Sequence, residues 1–210
     1  MLAAAALYAT LPSELLSVFR YIAPAVELAL LIPLVAANPY RLTRQNHVLR
    51  TVSLGLAGLL ILTNTVAFGS LVRQLVDSSA KNGSRLLVAA LQVWLTNIIA
   101  FAILFWELDR GGPVARSRAK RAELAAADFR FSQDEDDDAS SEVSRRAAKT
   151  SDWRPRFVDY FYVSITNSCA FSPTDTMPLS PRAKMLMAVE AIEALLTSVL
   201  VIARAVSQLK

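Results

Sequence analysis

Apolar residues in this chain gather in long unbroken runs and not at alternate positions. Thr51 to Val72 (TVSLGLAGLLILTNTVAFGSLV) and Leu86 to Trp106 (LLVAALQVWLTNIIAFAILFW) contain no charged residue. A helix rises about 1.5 Å per residue and a bilayer core is about 30 Å thick, so roughly 20 apolar residues cross it. Both runs therefore predict membrane-crossing helices. Tyr21 to Ala37 is shorter and holds Pro24, Glu27 and Pro33. It is still expected to cross, because Asn38-Pro39 stops it and a basic loop follows. Met185 to Ala203 is long enough but carries Glu190 and Glu193. A fifth run, Phe157 to Phe171, is too short to span comfortably as a straight helix. It either crosses with help from the following extended residues or re-enters, which is allowed only where protein or water covers its end. The crossing reading, with five spans, is preferred. The fold class is thus all-α, a polytopic transmembrane helical protein with four to five membrane segments, one of them short or re-entrant.

Composition supports this class. The 210 residues are 54% hydrophobic and only 19% charged, with mean hydropathy +0.38, against about 25% charged in soluble domains. One cysteine, Cys169, excludes an intramolecular disulfide, and one histidine, His47, excludes a multi-histidine metal site. The N-terminus lacks the basic start of a signal peptide, its first charge being Glu14, so it is expected to be retained.

Charge is concentrated between Glu107 and Arg156, which hold 11 of the 22 Lys/Arg and 11 of the 18 Asp/Glu. The charges fall in blocks around Arg116–Arg121, Asp134–Asp138 and Arg145–Lys149. Such a stretch predicts a mobile, solvated loop. Three regions follow: an N-terminal membrane region over 1–106, a charged mobile loop over 107–156, and a C-terminal membrane region over 157–210. Arg41, Arg44 and Arg50 precede the second run, and the long loop opens with five basic residues from Arg110 to Arg121. Basic loops face the cytoplasm, so both are placed there in a multi-pass cell-membrane protein.

Candidate chemistry lies in the C-terminal half. Trp153 to Lys184 packs aromatics, Thr166, Asn167, Phe171, Asp175 and four prolines between membrane runs. Pro173, Pro178 and Pro181 forbid a continuous helix there, so the segment is a surface loop or lines a cavity. Glu190 and Glu193, at i and i+3, share one helix face. Glu27 lies within the first run. A charge at the bilayer centre costs about 2.5–3.5 kcal/mol and usually faces a bundle interior or water. Glu190 and Glu193 are expected to reach the interface or to pair with Arg182 or Lys184; Glu27 is expected to be neutral and protonated or to find a polar partner such as Asn64, Asn97 or Gln92. The pore or cavity candidates are therefore Thr166, Asn167, Phe171, Asp175, Glu190, Glu193 and Glu27. The acidic run lacks the glycine and terminal glutamate of a calcium loop. No P-loop, G-x-S-x-G, H-E-x-x-H or C-x-x-C occurs, so no enzyme, cofactor or metal is expected.

Two resemblances add to this reading. The run Trp106-Glu107-Leu108-Asp109-Arg110-Gly111-Gly112-Pro113, the later Asp128-Phe129-Arg130-Phe131, and Ala170-Phe171-Ser172-Pro173-Thr174-Asp175-Thr176-Met177-Pro178-Leu179 resemble an uncharacterised family of bacterial integral membrane proteins. That resemblance implies a multi-span membrane fold and no established activity. Tyr160 to Thr166, then Asp175-x-x-Pro178, then Arg182 and Lys184, more weakly resemble the pore segment of two-helix potassium-type channels. The departure falls in the filter: Cys169 to Thr174 contains no glycine. The expected function is an ion-channel-like or transporter-like membrane protein acting through its C-terminal half. The alternative is a membrane scaffold or sensor that recruits partners through the charged loop. The expected partners are the lipid bilayer, a second copy of the chain and an inorganic ion, with no nucleic acid.

Overall fold

The computed structural model of the chain describes residues 47–76, 83–135, 138–170 and 175–207. The first predicted crossing with Glu27, and also Phe171, lie outside the described residues. Four long helices dominate: α1 (His47–Val76), α2 (Gly83–Leu108), α3 (Phe157–Ala170) and α4 (Pro181–Ser207). Three stretches are long and apolar enough to cross a membrane, Arg50–Val76, Leu86–Gly111 and Pro181–Val206. α3, with 14 residues, is not among them.

Cross-links between helices fix their directions. The Arg50 guanidinium donates to the Gly111 carbonyl, and Asn64 Nδ2 donates to Asn97 Oδ1 at 2.7 Å. α1 therefore starts beside the end of α2 and runs antiparallel to it. Tyr160 donates to Asp109 at 2.5 Å and Ser164 lies 2.8 Å from the Ile98 carbonyl, so α3 runs back down α2 from the same end. The chain then returns. Met177–Pro178 pairs antiparallel with Phe129–Arg130, and Leu179 N–H donates to the Asp128 carbonyl at 2.7 Å. α4 thus begins at the end where α3 began and descends beside it, passing Asn167 at Met187.

Of the five expected crossings, three are matched by helices of membrane-crossing length among the described residues, and α3 is not one of them. α3 enters the bundle and the chain comes back to the end it left. Fourteen residues give roughly 21 Å of helix, less than a bilayer core. Pro178 and Pro181 then force extended backbone before α4 can start.

Two apolar clusters hold the bundle. Leu60 and Leu71 of α1 pack on Ala89, Ala90 and Val93 of α2, where small residues bring the axes close. Phe101 and Phe105 of α2, Tyr160 and Val163 of α3, and Ala183 and Met187 of α4 form the second. Phe129 and Phe131 join this second cluster from the charged region.

Residues 107–156 differ from the solvated loop read from their charge. Most of them fold as a cap on one end of the bundle. Phe129 is 1% exposed and lies 5.0 Å from Phe105; Phe131 lies 5.4 Å from Tyr160 and 5.6 Å from Trp153. Three aromatic anchors were hidden among charges that satisfy one another: Arg110 bridges Asp109 at 2.8 Å and Asp134 at 2.6 Å, and Arg121 also pairs with Asp134. The cap begins with three residues at positive φ, Arg110 (48°), Gly111 (81°) and Gly112 (94°). Glycine adopts that backbone without strain. A Cβ at Gly112 would also sit 3.1 Å from the Glu107 carbonyl. Pro113 then opens a short helix, Pro113–Arg118, at the position where its missing N–H is harmless.

Candidate functional site

α3 carries Ser164, Asn167 and Ser168 at i, i+3 and i+4, which places all three on one face. That face meets Glu190 of α4, which is 0% exposed. Asn167 Nδ2 donates to Glu190 Oε2 at 2.7 Å and to the Met187 carbonyl at 2.9 Å. Ser168 Oγ lies 3.3 Å from Glu190 Oε1 and Ser164 Oγ is also bonded to that oxygen. Ser164 has a second acceptor, the Ile98 carbonyl at 2.8 Å. A hydroxyl holds a single proton and cannot donate to both.

Glu193, one turn further on, is 8% exposed. Thr65 of α1 donates to its Oε1 at 3.4 Å, a long contact, and its Oε2 has no hydrogen-bond partner among the described residues. The two carboxyls thus differ. Glu190 is enclosed by donors, and Glu193 lies where α1 meets α4 with one oxygen unsatisfied. Glu193 falls near the middle of the apolar stretch Pro181–Val206, and the buried Asn64–Asn97 pair lies near the middles of its own two stretches. The polar groups are therefore gathered at one depth of the bundle.

Of the residues singled out in the sequence, Asn167, Glu190 and Glu193 come together here. Thr166 does not; its hydroxyl bonds the Tyr162 and Val163 carbonyls of its own helix. Asp175 is exposed, 3.3 Å from the Tyr162 hydroxyl. Glu27 and Phe171 lie outside the described residues. The expected pairing of the glutamates with Arg182 or Lys184 does not occur. Arg182 instead holds Asp128 through two bonds of 2.7 and 2.5 Å, about two turns before Glu190. Ser164 and Ser168 were missed, although their spacing around Asn167 was readable; Thr65 gave no local signal.

A second polar knot joins the cap to the bundle. Asp109, 0% exposed, accepts at Oδ1 from the N–H groups of Asp128 (2.7 Å) and Phe129 (3.3 Å). At Oδ2 it accepts from Tyr160 (2.5 Å) and Arg110 (2.8 Å). Arg116 donates to the carbonyls of Asp109 (2.5 Å) and Trp106 (2.8 Å), and burial lowers its affinity for its proton. Among the described residues no three His, Cys, Asp or Glu side chains converge as metal ligands would.

No family model, no curated protein and no solved structure matches the chain. The reading of the site rests on its own geometry.

Proposed function

We propose that this is a multi-pass membrane protein that conducts or transports a small cation, with Glu190 and Glu193 as the acidic groups of its path. In this reading α1, α2 and α4 cross the bilayer, a further crossing precedes them, and α3 is a re-entrant helix. The observation that carries the proposal is the α3 hairpin: it enters and leaves at the cap end, and its polar face closes on a buried carboxyl at mid-depth. Re-entrant backbone is tolerated in a membrane only where protein or water shelters it. Buried acids in such segments usually serve ions or protons. The channel-like order of helix, short entering helix, extended return and final helix agrees with the weaker resemblance, while the glycine-free return argues against potassium selectivity. The motif residues Asp109, Gly111, Gly112, Pro113 and Asp128 build the cap, so the proposed kinship with bacterial polytopic membrane proteins concerns that cap.

Liposomes containing the purified protein, loaded with a pH-sensitive dye or with potassium, test the reading. Flux above protein-free liposomes is expected for the wild type. Glu190→Gln and Glu193→Gln should bring it to background, whereas Asp175→Asn, outside the buried cluster, should leave it above half. No flux for any monovalent cation, with a partner protein captured by the cap instead, overturns this reading in favour of a scaffold.

Cys169 provides a native probe. It is exposed near the end of α3. Thiols react as thiolates, which require water. A charged methanethiosulfonate reagent is expected to label wild-type protein in liposomes and not Cys169→Ser. Labelling by an uncharged, lipid-soluble maleimide alone would put this site against lipid and argue against water at the inner end of α3.

A further inference from the structure

On one flank of the cap lies an open cavity of about 1000 Å³. Its apolar floor is Trp106, Phe157 and Val158, where α2 and α3 meet the cap; the Trp106 and Phe157 rings contact edge to face at 5.8 Å. Its walls bring in Arg116, Arg118, Arg145, Arg146, Arg154 and Arg156 against two acids, Asp152 and Asp159. Both acids are engaged. Asp152 pairs with Arg154 at 3.0 Å, and Asp159 accepts the Arg156 N–H at 2.6 Å. Arg154 and Arg145 are braced on carbonyls of Ala119 (3.0 Å) and Ser141 (3.1 Å). Arg116 is 3% exposed, and its Nε has no partner among the described residues. Arg118 and Arg146 are exposed, and their side chains make no hydrogen bond or ion pair among the described residues.

So much uncompensated positive charge calls for an anion, and guanidinium forks match phosphate oxygens. The apolar side of the cavity decides which anion. Phe157, Val158 and Tyr162 of α3 are exposed and continue from the floor along the bundle. Two tryptophans, Trp106 and Trp153, line the same cavity, as aromatic residues do at the headgroup level. We propose that this cavity binds the phosphate headgroup of an anionic phospholipid, whose acyl chains lie along Phe157, Val158 and Tyr162. Basic pockets beside membrane helices recognise such headgroups in this way. The site is distinct from the glutamate cluster and stands or falls separately from it.

Native mass spectrometry of the full-length protein in a neutral detergent, titrated with phosphatidylglycerol or phosphatidylcholine, tests the site. The wild type should retain phosphatidylglycerol at least about tenfold more tightly than phosphatidylcholine. Arg118→Gln with Arg146→Gln should remove most of that preference. Neither side chain is bonded, so this variant should keep the wild-type elution profile. Arg73→Gln with Lys120→Gln removes the same charge away from the cavity and should keep the preference. Equal retention of the two lipids by the wild type overturns the proposal without reference to any variant. Equal loss in the two double variants also overturns it, as general charge attraction. Release of phosphatidylglycerol by millimolar sodium phosphate assigns the cavity to a soluble phosphate and overturns the lipid.

Discussion

Asp109→Ala is expected to detach the cap from the bundle at a cost of about 3–5 kcal/mol. The carboxylate accepts two backbone N–H groups, a tyrosine hydroxyl and an arginine, with no exposure to solvent. Alanine leaves all four donors buried. Unpaired buried donors lose their water without a replacement, which costs more than the bonds themselves contribute. The Arg110 guanidinium would keep Asp134 but lose its inner partner. Asp109→Asn preserves shape and an acceptor but not the charge, so a smaller loss, roughly 1.5–3 kcal/mol, is expected. Thermal unfolding followed by tryptophan fluorescence in detergent measures both. A variant Tm within error of the wild type would mean that Asp109 is not the clamp. A double-mutant cycle with Tyr160→Phe should show coupling, because both changes remove the same contact.

Phe129→Ala should have a comparable effect by a different route. Phe129 fills the space between Phe105 of α2 and Tyr160 of α3, with ring centroids 5.0 and 6.1 Å away. Removing a fully buried phenyl ring costs about 3–5 kcal/mol when the surroundings cannot collapse. Here they cannot collapse easily: Phe129 N–H is held by Asp109, and the next residue sits in the strand pair with Met177. Phe129→Leu keeps most of the volume and should cost under about 1.5 kcal/mol. Trypsin reads this out directly, since the cap is rich in arginine and lysine. Cleavage within 107–156 should accelerate in Phe129→Ala while the long helices stay intact. Unchanged cleavage would show that the ring is dispensable.

Three of the long helices were legible in the sequence because their signal is local. Long apolar runs, broken in α4 by two glutamates, place α1, α2 and α4 to within a few residues of their observed ends. The course of α3 was not legible. Whether Phe157–Ala170 crosses or turns back depends on contacts such as Arg182 with Asp128, 54 residues apart. The proline pattern announced broken helix without saying where the chain went next. The cap was misread for a related reason. A count of charges treats each as solvated, yet Asp109, Arg110 and Asp134 neutralise one another across 24 residues. Phe129, Phe131 and Trp153 carried the apolar signal, but each stood alone among polar neighbours. At the buried site, the same-face spacing of Glu190 and Glu193 was readable. Their partners came from α1 and α3, which only the packing of helices could supply.

The way α4 is held has a mechanical consequence. Its first residues are fastened by Asp128 to Arg182 and Ser180 and by the adjoining strand pair, whereas nearer its last turns Leu200 and Val201 rest on the α1–α2 cluster by apolar contact and Ile202 and Val206 face outward. A rod clamped at one end pivots there, and displacement grows with distance from the pivot. Over a helix of 27 residues, roughly 40 Å, a tilt of about 5° slides the far end by roughly 3 Å across its apolar contacts while the clamped end stays still. Glu193, about halfway along, moves by about half as much. The lever that could separate Glu193 from Thr65 thus has its fulcrum in the cap.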